Sequence, residues 1–188
     1  MFILYALPIG LVMGFLAGGR LAGLALLRIH WAALIVACLL VQVVLFSDQV
    51  TPWIGEVGAV IYVLSSATVA VAVLANRRIT GMPVIALGAV SNLAAIIANG
   101  GYMPASPGAL GELGKSEPTV YSNSTVMPDP ALAPLTDIFA LPTWLPFANI
   151  FSVGDLLIGA GVVIVIVAAM WHGRRSTLTD GPAARALA

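Results

Sequence analysis

The sequence predicts an all-α, polytopic bundle of five transmembrane helices with a long proline-rich loop outside the membrane. The chain is 60% hydrophobic and only 9% charged, with a mean hydropathy of +1.04. A soluble domain carries about a quarter charged residues. The apolar residues also form five runs, separated by arginines, glycines and prolines. Both observations are typical of a multi-pass protein of the cell membrane.

The spans are predicted from the five apolar runs and their boundaries. They cover residues 2–17, 31–46, 57–74, 84–98 and 150–171. Residues 1–175 are therefore read as one transmembrane domain, and residues 176–188 as a flexible cytoplasmic tail. The first run is short, and if it lies on the membrane instead of crossing it, the other four spans keep their orientation.

The basic residues predict the orientation of the bundle. With alternating spans, one side of the membrane receives seven arginines, and the other receives only Lys115. The seven are Arg20, Arg28, Arg77, Arg78, Arg174, Arg175 and Arg185. Because basic residues concentrate in cytoplasmic loops, the N-terminus is predicted outside and the C-terminus in the cytoplasm.

The connection between the fourth and fifth spans, residues 100–148, is then the outer loop. It holds eight of the twelve prolines, a density that predicts no regular secondary structure. Its last part, residues 138–147, is apolar and contains Trp144. Irregular backbone of this composition is expected in the membrane interface or against the helices.

Two aspartates flank the end of this loop. Asp137 precedes the apolar part, and Asp155 lies in the first turns of the last span. A carboxylate at the edge of a bilayer is costly and therefore suggests a function. Two carboxylates that meet in a low-dielectric site share one proton, which is the arrangement that an aspartic hydrolase uses. Asp137 and Asp155 are thus the candidate catalytic pair.

Each aspartate also has a structural interpretation. Ser152 and Asp155 match the S-x-x-D capping box of a helix N-terminus, where a carboxylate also favours the helix dipole. Asp137 fits a solvated loop acid or an Asx turn. The fourth span carries Asn92 and Asn99 on one face, and because amides in lipid need partners, that face is expected to look into the bundle.

From the second span onward the order of motifs resembles the lipoprotein signal peptidases, which are four-span aspartic proteases of bacterial membranes. The matching pieces in chain order are Asp48-Gln49, Asn76-Arg77-Arg78, Gly88-Ala89-Val90-Ser91-Asn92-Leu93, Asp137, Pro146-Phe147-Ala148-Asn149 and Asp155. The resemblance implies that Asp137 and Asp155 are catalytic and that Asn92 and Asp48 support them; Asn99 and Asn149 are counted as further supporting residues.

The chain departs from that pattern in several places, which include Pro52 in place of a basic residue, an additional N-terminal span and a longer outer connection. It lacks the Asn-x-Gly-Ala-Ala-Phe segment of those peptidases, and Ala94-Ala95 stand where an arginine is expected. Nearly the whole chain also resembles an uncharacterised family of bacterial multi-span proteins. That resemblance is carried by Asn99-Gly100-Gly101-Tyr102-Met103-Pro104 and by the segment from Asn149 to Asp155, and it implies no known activity.

Two classes of function remain open from the sequence. The first is an aspartic membrane hydrolase, most simply a peptidase, acting at the outer leaflet on a lipid-linked or membrane-embedded substrate. The second is a non-enzymatic carrier of lipid or small molecules, or a scaffold that packs a partner helix through Gly10, Gly14 and Gly18, which lie four residues apart. A net charge of zero suggests no nucleic-acid partner, and no metal or cofactor motif is present.

Overall fold

The protein is mostly helical in the computed structural model, which describes residues 3–47, 49–114 and 124–179. The elements in chain order are α1 (Ile3–Leu16), α2 (Ala22–Ala25), α3 (Ala32–Leu45), α4 (Thr51–Ile54), α5 (Val57–Ala75), α6 (Met82–Ala98), β1 (Met103–Pro104), α7 (Pro107–Glu112), β2 (Ser124–Thr125), a 3-10 turn (Ala133–Leu135), β3 (Phe139–Ala140), β4 (Ile150–Phe151) and α8 (Val153–Thr179).

Each of the five predicted apolar runs coincides with one of the longer helices, and the first four agree to within two residues at each end. Helix α5 and the Val153–Gly173 part of α8 are long and apolar enough to cross a membrane, while α1, α3 and α6 are shorter apolar helices. The last run differs from its predicted bounds at both ends. Residues 150–151 form strand β4, so α8 begins only at Val153, and its backbone then remains helical to Thr179, inside the predicted tail.

Helix α8 is the central helix of the bundle, with α1 and α6 packed along it. Gly10 lies against Ile166 and Gly14 against Met170, so α1 runs parallel to α8. The glycine face predicted on the first span is therefore in contact with a helix of the same chain. Because glycine has no side chain, the two backbones approach closely along this contact.

Helix α6 packs antiparallel to α8 through two facing pairs of glycines. Gly88 meets Gly154, and Gly81 meets Gly161. Gly88 lies seven residues after Gly81, which immediately precedes α6, and Gly161 lies seven residues after Gly154 in α8, where seven residues are about two turns and put both glycines on one face. A Cβ at Gly81 would lie 2.7 Å from the Gly161 carbonyl oxygen, and a Cβ at Gly88 would overlap the Gly154 carbonyl. The α6–α8 contact is therefore backbone against backbone.

Polar contacts hold α3 against α5. The Gln42 side-chain amide donates to the hydroxyls of Ser65 and Ser66 at 3.1 and 3.2 Å, and the rings of Phe46 and Tyr62 meet edge to face. From Gln42 to Phe46 along α3 the partners on α5 run backwards from Ser66 to Tyr62, so the two helices are antiparallel. Helices α5 and α6 also pack against each other after a turn of the chain. Successive long helices of the bundle therefore alternate in direction.

The connection after α6 contains more structure than its prolines predict. We call residues 101–114 and 124–152 the cap. Strands β1 and β2 pair in parallel, β3 and β4 pair antiparallel, and Pro107 opens helix α7. The prediction of no regular element was wrong because proline is compatible with the first turn of a helix and with an edge strand.

A small apolar core of its own supports the cap. Ala105, Ala109, Leu110 and Ile150 are buried together, so β1, α7 and β4 form one packed unit. A second cluster joins this unit to the bundle, since Met103 packs with Ala95 and Ile96 at the end of α6. The cap therefore has a fixed position on the helix ends that carry the candidate site.

Candidate functional site at the start of helix α8

A reciprocal capping box opens helix α8. The Asp155 backbone N–H donates to Ser152 Oγ at 3.0 Å, and the Ser152 backbone N–H donates to Asp155 Oδ2 at 3.2 Å. These two N–H groups have no partner within the helix, and each is satisfied by the side chain of the other residue. The capping role predicted from the S-x-x-D spacing is confirmed.

Asn92 of α6 hydrogen-bonds to both residues of the capping box, and the three residues form one network. Its Nδ2 donates to Asp155 Oδ1 at 2.8 Å, and Ser152 Oγ donates to Asn92 Oδ1 at 2.8 Å. Ser152 is completely buried. The predicted polar face of α6 therefore looks into the bundle at Asn92, and two N–H donors fix the Asp155 carboxylate in one orientation.

Gly154 makes room for this network. A Cβ at this position would overlap Asn92 Oδ1 and would lie 2.8 Å from the Gly88 carbonyl oxygen. Sequence reasoning did not assign Gly154 or Ser152 to the site. The capping pattern already named Ser152, whereas Gly154 carried no signal, because glycine is frequent in membrane helices.

Asp137 lies in the cap, on an extended segment beside β1. Its backbone N–H donates to the Pro104 carbonyl at 2.9 Å, and its carbonyl accepts from the Ser106 N–H at 2.9 Å. The residue is only 5% exposed, and its Oδ1 atom is buried. The alternative interpretation of Asp137 as a solvated loop acid is therefore wrong, because the cap encloses its side chain.

The β3–β4 hairpin brings the segments of the two aspartates to the same edge of the cap. Phe139 pairs with Phe151, and Ala140 with Ile150. Asp137 comes two residues before the Phe139–Phe151 pair on one strand, and Asp155 comes four residues after it on the other. In an antiparallel hairpin, both positions leave the ladder at the same end.

The remaining predicted supporting residues lie elsewhere. The Asn99 side chain donates to the carbonyls of Ala95 and Ala131 and accepts from the Ala131 N–H, so it fastens the cap to α6. Asn99 is two helical turns from Asn92, about 10 Å along the axis. Asn149 accepts a backbone hydrogen bond from Leu141 in the hairpin, and Asp48 lies outside the described residues.

Comparison with known proteins supplies the family of the chain. No curated protein and no solved structure matches it, so the resemblance to signal peptidases depends on the order of motifs alone. One family model matches residues 26–167, about three quarters of the 188 residues, and this region includes Asn92, Asp137 and Asp155. The chain belongs to this family, a family of unknown function (DUF5317).

Proposed function

We propose that this is a five-span membrane protein with its N-terminus and cap outside the cell membrane and its C-terminus in the cytoplasm. Three features support the arrangement. The five longer helices alternate in direction along the chain, large apolar side chains cover their outer faces, and Arg20, Arg28, Arg77 and Arg78 lie in the turns at one end. Leu16, Leu64 and Leu87 are each more than 60% exposed, which suits contact with lipid.

Three of the five helices, α1, α3 and α6, are short for a full crossing, and α1 and α3 are the shortest. Helices α1 and α3 have 14 residues each, or about 21 Å, against a hydrocarbon core of about 30 Å. Flanking residues and local thinning of the bilayer accommodate such a mismatch. The exposed Trp144 and Phe147 at the hairpin tip suit the outer interface, and the Tyr5 hydroxyl of α1 donates to the Pro146 carbonyl of that tip.

Cysteine labelling of intact cells tests this topology. In a Cys38→Ser background, Thr143→Cys at the exposed hairpin tip should react with a membrane-impermeant maleimide added from outside. Thr80→Cys, in the turn between α5 and α6, should react only after permeabilisation. Labelling of Thr80→Cys in intact cells, or protection of Thr143→Cys, would contradict the proposed orientation.

For the activity, we propose an aspartic hydrolase whose pair is Asp137 and Asp155. One observation carries the proposal: the β3–β4 register leads both aspartates out of the same end of the hairpin. If the pairing continued for two more residues, Asp137 would lie opposite Val153, which is half a helical turn before Asp155. With about 5 Å across a ladder and 1.5 Å of rise per helical residue, the two Cα atoms would be roughly 10 Å apart or less.

The chemistry would follow from a shared proton. The ionised carboxylate takes a proton from water while the protonated one hydrogen-bonds to the carbonyl oxygen of the scissile bond. The water oxygen attacks the carbonyl carbon, and collapse of the tetrahedral intermediate breaks the C–N bond as the amine receives a proton. Asn92 would act as a positioning residue, because its amide holds Asp155 Oδ1.

The site lies where the cap meets the bundle, which favours a substrate that reaches it from the outer leaflet. We therefore expect a lipid-linked or membrane-embedded polypeptide as the substrate. Mass spectrometry of membranes from cells that lack the protein should detect an uncut precursor whose cleavage position falls near the outer face. Complementation with the intact chain should restore the shorter product.

A non-enzymatic role is the second candidate, and the Asn92–Ser152–Asp155 network favours it. Asp155 Oδ1 accepts from Asn92 and so joins α8 to α6, while Oδ2 accepts from the Ser152 N–H and caps α8. On this alternative the aspartate is a structural element of a carrier or scaffold. The same membranes would then contain no accumulated precursor, whereas the amount of a partner protein or of a lipid would change.

A further inference from the structure

A groove on the lipid-facing side of α5 and α6 ends at two adjacent arginines. Arg77 and Arg78 lie in the turn between these helices, and Leu74, Leu87 and Val90 line the groove below them. Its volume is about 630 Å³, which is in the range of small-molecule sites. Leu87 is 61% exposed, so the groove offers apolar area beside two cations.

The two guanidinium groups are available to a ligand. Both arginines are exposed, and neither forms an ion pair or a side-chain hydrogen bond with any residue that the structure describes. In the proposed topology, seven of the eight acidic residues belong to the opposite face of the membrane, and Asp180 alone is cytoplasmic. Positive charge at this end of the groove therefore lacks a counter-charge within the described chain.

The turn that carries the arginines is held at both ends. Asn76, which is 5% exposed, accepts from the His30 N–H at 2.7 Å and donates to the His30 carbonyl at 2.9 Å. At the other end Gly81 has a φ of +96° and packs on the Gly161 carbonyl. Because the turn is fixed before any ligand arrives, binding requires little ordering of the backbone.

The length of the groove fits one leaflet. From Met82, where α6 begins, to Val90 is eight residues, or about 12 Å along the helix. Half of a typical hydrocarbon core is about 15 Å. A phospholipid whose phosphate binds at the turn would therefore have one acyl chain lying along α6 through most of that leaflet.

We propose that this groove binds one anionic phospholipid of the inner leaflet, with its phosphate at Arg77 and Arg78 and one acyl chain along α6 as far as Val90. Basic pockets between transmembrane helices on the cytoplasmic side recognise anionic headgroups in this way. The apolar walls favour a lipid over a free phosphate. The inference depends on the proposed orientation but not on the proposed hydrolysis.

Native mass spectrometry of the full chain in a neutral detergent tests the proposal with defined probes. The protein should retain one dioleoyl phosphatidylglycerol in preference to dioleoyl phosphatidylcholine, and it should not retain glycerol 3-phosphate. Each arginine near a headgroup is worth about fivefold in affinity, so Arg77→Gln with Arg78→Gln should lower phosphatidylglycerol binding roughly 25-fold.

Two further variants distinguish a specific lipid-binding site from a general attraction of anionic lipid to positive charge. Arg174→Gln with Arg175→Gln removes the same charge at the other end of the sequence and should leave the affinity within roughly a factor of two. Val90→Trp should weaken the dioleoyl lipid more than dihexanoyl phosphatidylglycerol, because only the long chain reaches that position. Equal losses in the two double variants, or no preference for phosphatidylglycerol in the folded protein, would overturn the proposal.

Discussion

Asp137→Asn and Asp155→Asn should each reduce cleavage of the accumulated precursor by at least about 100-fold, because each removes one half of a shared-proton pair. The amount of folded protein should change little for Asp137→Asn, because an amide replaces a carboxyl of nearly the same shape and the packing of the cap is kept. Asp155→Asn should also lose some stability, because its amide has one acceptor oxygen where Asp155 accepts from two N–H donors. The measurement is the ratio of precursor to product in membranes, with folded protein followed by size-exclusion chromatography in detergent.

Asp129→Asn is the matched control for this pair. Asp129 is an exposed acid of the same cap, and its replacement removes the same charge without touching the hairpin end. It should leave cleavage unchanged. Normal cleavage by Asp137→Asn, in a variant that elutes as folded protein, would eliminate the proposed dyad and favour the structural interpretation of Asp155.

Asn92→Ala separates positioning from packing at the same site. The substitution removes the donor to Asp155 Oδ1 and the acceptor of Ser152 Oγ. Leaving such buried groups unsatisfied costs about 1–3 kcal/mol each. A catalytic dyad predicts that the folded fraction of Asn92→Ala cleaves more slowly than wild type but faster than Asp155→Asn, since both carboxylates remain.

The helices were predictable because their signal is local. A long apolar run that is kept away from water must satisfy its backbone hydrogen bonds internally, so each helix is predictable from composition alone. The capping box at Ser152 and Asp155 is local as well, since it depends on a spacing of three residues. The ends were less predictable: α8 starts three residues late because Ile150 and Phe151 pair with residues that are ten and twelve positions upstream.

The parts of the site that depend on distant pairing were not predictable in the same way. Asn92 was expected to face the bundle, but its partners on α8 are 60 and 63 residues away and no local pattern names them. The burial of Asp137 follows from the cap, whose strands have two residues each and are too short for a periodic signal. The neighbouring Ile138 and Phe139 were the only local indication.

Contacts between glycines are the other feature that sequence left open. Gly10 and Gly14 were recognised by their spacing of four, whereas Gly81, Gly88, Gly154 and Gly161 have a spacing of seven on two separate helices. This spacing predicts a contact only once α6 and α8 are known to pack antiparallel, because the glycines then face each other in pairs. The α6–α8 contact is therefore a stronger test of the fold than the helix boundaries are.

Gly154→Ala should be among the most destabilising single-methyl changes in the described bundle. The added Cβ would overlap Asn92 Oδ1, which the Ser152 hydroxyl holds in place, and would crowd the backbone carbonyl of Gly88. Overpacking of this kind costs about 1–3 kcal/mol, or roughly 2–12 °C in the melting midpoint for a chain of this size. Thermal unfolding of the detergent-solubilised protein measures the shift.

Gly111→Ala provides the control, because it makes the same change in helix α7 where a Cβ would meet nothing within 4 Å. Alanine is favoured over glycine in a helix by about 1 kcal/mol, so this variant should melt at or slightly above the wild-type temperature. The backbone contact also couples to the site, since an α6 displaced by Gly154→Ala would carry Asn92 away from Asp155. Equal melting of the two variants would mean that α6 and α8 do not meet through their glycines, and the orientation of Asp155 would then require another explanation.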